Sequence, residues 1–187
     1  MSELLIALGA NLLKDESDLA STLSRAIGLL EDNPQIEVVR RSRWYRTPAY
    51  PPGSGPDFVN GAAALKSDLR PCEILQILHE VEAVLGRERR QRWAPRVCDL
   101  DLLAAGELVQ PDAASVRNWM ELDDQFAQVR APDHLILPHP RLHMRAFVLV
   151  PLNDIASTWR HPILQLTVSE LLARLSPQEI AEVNPLD

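Results

Sequence analysis

Leu4-Leu5-Ile6-Ala7-Leu8 is an unbroken apolar run that stops at Gly9, the pattern of a buried strand. Leu19, Leu23, Ala26, Ile27 and Leu30 then recur at helical spacing, which predicts an amphipathic helix over 17–31 ended by Asn33-Pro34. Ile36 and Val38 alternate with polar residues and lead to Trp44 and Tyr45, so 36–47 is expected to form one strand with a wet face. Residues 47–56 are dense in proline and glycine and read as a long loop. Phe58 to Lys66 resumes as a strand. Pro71 suits the first turn of a second helix with the stripe Ile74, Leu75, Leu78, Val81 and Leu85, and Gly86 stops it. A fourth strand runs from Val97 to Ala104.

The order β-α-β-β-α-β predicts an α+β fold with a ferredoxin-like core, its two helices on one face of an antiparallel sheet. Further helices are expected over 141–152, over 168–175, and after Ser176-Pro177-Gln178-Glu179, which joins an N-cap serine, a first-turn proline and a capping-box glutamate. They would close the other face and give a three-layer α/β/α sandwich. The whole of 1–187 reads as a single domain, with an insertion at about 110–134 that fits neither periodicity and has room for a short helix.

Composition narrows the class. Acidic residues outnumber basic ones 26 to 19, a net charge of −7, which disfavours general nucleic-acid binding through phosphate neutralisation. Two cysteines cannot build a disulfide framework, and no apolar run approaches bilayer length. A cytoplasmic protein is expected. Only two of the 19 cations are lysines, and five arginines crowd between Arg87 and Arg96.

The chemistry concentrates beside that cluster. Asp99 and Asp101 are alternate residues of one strand, so both carboxylates project from one face roughly 6–7 Å apart, while Cys98, Leu100 and Leu102 face the other way. Paired carboxylates favour a shared cation, and magnesium takes one or two of them plus substrate phosphates. The arginine stretch 87–96 enters this strand directly, and guanidinium forks match phosphate oxygens. A second cluster, Pro138-His139-Pro140-Arg141 with Arg145, adds further phosphate-binding groups. His139 and His143 stand four apart, but a zinc site would need a third ligand. No phosphate-binding glycine loop ending in Lys-Ser/Thr and no Gly-x-Ser-x-Gly elbow occurs.

These residues resemble the 6-hydroxymethyl-7,8-dihydropterin pyrophosphokinase family. The likeness runs through Ala7-Leu8-Gly9-Ala10-Asn11-Leu12, Tyr45-Arg46-Thr47-Pro48 and Asp57-Phe58-Val59-Asn60. It is strongest at Arg92-Trp93-Ala94-Pro95-Arg96-Val97-Cys98-Asp99-Leu100-Asp101, and returns at Pro138-His139-Pro140-Arg141 and Arg145-Ala146-Phe147. The resemblance implies magnesium-dependent transfer of diphosphate from ATP to the pterin, with release of AMP, in folate biosynthesis. It implies two magnesium ions on Asp99 and Asp101, and charge stabilisation by Arg87 and Arg96. Phe58 and Phe147 would sandwich the pterin, with Thr47, Pro48, Tyr50, Asn60 and Trp93 also around it. Glu82, Arg87, Arg89, Trp93, Arg96, Leu102, His139 and Arg145 would lie on the ATP side, the 87–96 loop closing over the nucleotide. ATP and the pterin are the expected partners, with no nucleic acid, no membrane and a monomeric state.

Two departures from the family pattern stand out: Ala10 where serine is frequent, and Ala94 where glycine is common. The 110–134 insertion is also longer than the family leads one to expect. Two other readings compete. An RNA-binding module would need stacked aromatics on a sheet face, and the chain has only three Phe, two Tyr and four Trp. Another metal-dependent phosphoryl or nucleotidyl transferase would use the same acid pair.

Overall fold

Six antiparallel strands make up the sheet in the computed structural model, which describes residues 2–11, 16–49, 55–86, 97–122 and 132–186. They are β1 (Ser2–Ala10), β2 (Glu37–Arg41), β3 (Tyr45–Thr47), β4 (Phe58–Ser67), β5 (Asp99–Ala105) and β6 (Asn184–Pro185). The spatial order is β5-β1-β4-β3-β6, with β2 also paired to β4. Helices α1 (Glu16–Glu31) and α2 (Pro71–Val84) connect the strands as the periodicity predicts. They are followed by α3 (Ala113–Met120), α4 (Ala146–Ala156), α5 (Val168–Leu172) and α6 (Pro177–Ala181). No described helix is long and apolar enough to cross a membrane.

Strand alternation sorts the core into two layers. Leu4, Ile6 and Leu8 of β1, Val59, Ala63 and Leu65 of β4, and Leu100 and Leu102 of β5 all turn toward α1 and α2. There they meet Leu23, Ile27, Leu30, Ile74 and Leu78. Each fully buried aliphatic side chain of this kind contributes about 1.5–3 kcal/mol. The intervening residues Leu5, Ala62 and Ala64 face α4 and α5, meeting Val148, Leu149, Leu152, Val168 and Leu171. Helices therefore cover both faces, as expected for the three-layer sandwich.

One irregularity in β5 matters for the site. Leu5 pairs with Ala104 and Ile6 with Leu102, which leaves Leu103 as the extra residue of a bulge. Leu103 and Ala104 consequently both enter the α4 layer. The Leu103 carbonyl accepts the His139 N–H at 2.8 Å, so the bulge ties the Pro-His-Pro segment to the strand that carries the acid pair.

Three expectations need correction. The strand foreseen over 36–47 is two strands: Ser42 Oγ accepts the Ala62 N–H at 2.9 Å, a side chain taking a place in the ladder. The Trp44 ring lies against Gly61 there, where any Cβ would collide with it. The helix foreseen over 141–152 starts late: residues Leu142–Met144 form one 3-10 turn, Arg145 is extended (φ −116°, ψ 109°), and only then does α4 begin. The third is an omission, since β6 has no forerunner in the pattern. By contrast, α6 opens on the foreseen capping box, with Ser176 and Glu179 bonding each other's backbone N–H at 2.9 and 3.2 Å.

Candidate active site

Register decides which polar side chains meet. Asp99 stands across from Gly9, Gly9 from Asn60, and Asn60 from Tyr45. One row further along β5, Asp101 stands across from Ala7, and Thr47 stands across from Phe58. Partners across an antiparallel pair project from the same face. Thr47, Phe58, Asn60, Gly9, Asp99 and Asp101 therefore all belong to the face that α4 and α5 cover only in part. Two interstrand spacings, about 10 Å, separate the Asn60 strand from the Asp99 strand.

Gly9 forms the floor between them. A Cβ at this position would come within 3.0 Å of Asn60 Oδ1, so the asparagine amide rests over the glycine backbone. Asn60 Nδ2 donates to Thr47 Oγ1 at 2.7 Å, and both residues are buried. Sequence reasoning placed Gly9 in a motif but gave it no role; its signal was the abrupt end of the β1 apolar run.

Beneath the acid pair lies Glu82, 1% exposed on α2. Its carboxylate accepts the Leu100 N–H at 2.8 Å, the peptide between Asp99 and Asp101. An unpaired buried N–H costs about 1–3 kcal/mol, so Glu82 fixes the path of the strand where the two acids leave it. Leu102, expected on the ATP side, is 3% exposed and packs in the α1/α2 layer. With a period of two it faces away from Asp99 and Asp101, so its side chain is core and only its backbone adjoins their face.

His139 comes next to the acids through its bond to Leu103. Its Nδ1 accepts the Arg141 N–H at 3.1 Å. Burial and the nearby Arg145 charge push its pKa down to about 3, while the Asp99 carboxylate pulls the other way. The ring is neutral at physiological pH, and with Nδ1 occupied as acceptor the proton belongs on Nε2. At the start of α4, Phe147 is 39% exposed, and the Arg145 guanidinium sits 5.6 Å from its ring centre. Pro48 is exposed at the end of β3. Tyr50, Arg87, Arg89, Trp93 and Arg96 lie outside the described residues.

Among the described residues no group of three or more His, Cys, Asp or Glu converges as a metal cage. Asp99 and Asp101 offer two carboxylates on one face of β5. That donor set fits magnesium, which keeps waters and takes substrate phosphate oxygens, and does not fit a closed zinc site.

An antiparallel sheet sandwiched by helices, with an acid pair on its edge strand beside a buried amide–hydroxyl pair, outlines an α+β phosphoryl-transfer enzyme. The chain belongs to the 7,8-dihydro-6-hydroxymethylpterin-pyrophosphokinase family, whose model matches residues 5–157. It is 37% identical to a 2-amino-4-hydroxy-6-hydroxymethyldihydropteridine pyrophosphokinase of Methylorubrum extorquens, over 98% of this chain and 99% of that one. It is 35% identical to the protein of the same name from Synechocystis, over 96% of this chain and 80% of that one. Among solved structures, wild-type Plasmodium falciparum HPPK-DHPS superposes with a TM-score of 0.64 at 15% identity, which supports the fold. The match covers 92% of this chain and 44% of that longer one.

Proposed function

We infer that the chain carries out its family's reaction, moving diphosphate from ATP to the hydroxymethyl oxygen of 6-hydroxymethyl-7,8-dihydropterin and releasing AMP. It is an ATP-dependent pyrophosphokinase of folate biosynthesis. The observation that carries the site assignment is the register: the Asn60–Thr47 pair and the Asp99–Asp101 pair share one sheet face, with Gly9 of β1 between Asn60 and Asp99.

In this reading Asn60 and Thr47 read the polar edge of the pterin, with Pro48 and Tyr50 beside them, and Phe58 and Phe147 hold its ring faces. Asp99 and Asp101 would hold two magnesium ions, which when bound would screen phosphate charge and acidify the attacking hydroxyl. His139 donates Nε2–H to a phosphate oxygen. With a pKa of about 3 it is no proton carrier near neutrality. Arg145 would leave the Phe147 ring for phosphate, and Arg87, Arg89, Arg96 and Trp93 complete the ATP side. Transfer of a phosphoryl-type group spreads charge over oxygens, so positioning and electrostatics dominate over base strength. Glu82 acts from below, by holding the strand rather than by touching ATP. The protein would work as a cytoplasmic monomer.

The test is a product assay with magnesium, ATP and the reduced pterin. AMP formed in proportion to pterin, with no ADP, supports the reading; ADP or pterin-independent turnover rejects it.

A further inference from the structure

We propose that the C-terminal segment 176–186 is a clamp that holds β3, and with it Thr47, in place against the pterin. This rests on the reading of Thr47 and Asn60 as pterin contacts. The family model ends at residue 157, but the sheet does not. Strand β6 pairs Pro185 with Tyr45 and Asn184 with Arg46, and the Leu186 N–H donates to the Trp44 carbonyl at 2.9 Å.

β3 needs such support. It is three residues long and joins β4 through three pairs: Tyr45 with Asn60, Arg46 with Val59, and Thr47 with Phe58. A strand this short is marginal when held from one side, yet Thr47 Oγ1 must stay 2.7 Å from Asn60 Nδ2 for the pair to present one hydrogen-bonding edge. The clamp is itself anchored. Val183 is buried, Leu186 packs on the α1/α2 core, and the capping box at Ser176 sets the start of α6.

Beyond the pairing the two sides part. A cleft of about 390 Å³ opens beside the ladder, lined by Arg46, Pro48 and Asp57 from one side and Ala181, Glu182 and Asn184 from the other. The backbone ladder rather than side-chain filling therefore transmits the restraint. A second tie at the other end, the Tyr45 hydroxyl donating to Asp154 at 2.8 Å, limits the effect of losing the clamp to the Arg46–Thr47 end.

The experiment compares Leu186→Pro, which removes the donor to Trp44, with Leu186→Ala, which keeps it, and with a chain ending at Val183. Steady-state constants for the pterin and for ATP are measured alongside thermal unfolding. The expected result is a several-fold rise in pterin KM for Leu186→Pro and the truncation, with ATP KM and kcat within about two-fold; Leu186→Ala, which loses core packing but keeps the bond to Trp44, falls between the parent and Leu186→Pro. Equal rises in both KM values, or none in any folded variant, overturn the clamp. Asn60→Ala separates the two claims: if it raises pterin KM strongly while the clamp variants do not, the clamp alone fails. If Asn60→Ala also leaves pterin KM unchanged, the pterin assignment fails first. Should the truncation not fold, Leu186→Pro against Leu186→Ala decides.

Discussion

The α1/α2 face of the sheet and the α4 face are presented by the same strands, residue by residue in alternation, yet they are finished differently. On the first, β1, β4 and β5 contribute Leu, Ile, Val and Ala into a continuous layer closed by two long helices. On the second, apolar packing ends partway: Leu5, Ala62, Ala64 and Leu103 are covered, and past them come Asp99, Asp101, Gly9, Asn60 and Thr47. A face that helices cover only in part can keep polar groups near solvent and still hold them rigidly, because the opposite face supplies the stability. The acids therefore owe their geometry to packing on the opposite side of their own strand.

The sharpest way to break that division is within β5. Asp101→Asn is expected to lower kcat by about 10²–10³-fold while leaving thermal unfolding nearly unchanged, since it removes charge from a preorganised electrostatic site. Its neighbour Leu100→Ala should do the reverse. It should cost about 2–5 kcal/mol of folding free energy by urea titration, with activity retained in the folded fraction. Equal losses of stability in both variants would erase the distinction between the faces.

Glu82 tests how the packed face supports the open one. Glu82→Leu leaves the Leu100 N–H without its acceptor and is expected to cost about 1–3 kcal/mol of stability, with a lower kcat because both acids shift. Glu82→Gln keeps a carbonyl acceptor and should restore much of each. If Glu82 instead contacted ATP, Glu82→Leu would raise ATP KM without destabilising the fold. Gly9→Ala is a smaller intrusion: its methyl group would meet Asn60 Oδ1 at 3.0 Å, so a modest rise in pterin KM is expected, with ATP KM unmoved.

The mildest effect is a pH dependence that belongs to the partly covered side. His161 is fully buried and accepts the Ile163 and Leu164 N–H groups on Nδ1, each at 3.2 Å. Burial, then the neighbouring His143, push its pKa down to about 4. His139 is lowered to about 3, against about 6.5 in an unfolded chain. Below pH 6.5 the unfolded state takes up protons that the folded state refuses, so stability is complete above that pH and falls as pH drops toward 4. Urea titrations between pH 4.5 and 7 should show this slope. His161→Gln should flatten it in part, leaving the contribution of His139.

How much of this could be read from the chain alone follows from the range of each interaction. Helix stripes, the capping box at Ser176 and the common direction of Asp99 and Asp101 depend on residues two to four apart, and all were legible. The break at 42–44 was not, because Ser42 bonds to Ala62, twenty residues away. Leu102 and Glu82 were assigned to ATP through family likeness. The two-residue period of the strand already pointed Leu102 inward, while only the packing of α2 shows Glu82 under Leu100.

By itself, the sequence determined most of the elements, the closeness along the chain of an acid dyad and an arginine-rich stretch, and the family. Tertiary structure alone decided that Gly9 lies between Asn60 and Asp99, that Leu103 bulges to receive His139, and that the last strand backs β3. The physical reason is that periodicity and capping are local properties of a chain. Register, bulges and edge pairing are chosen by the packing of segments far apart in it, and no local pattern carries that information.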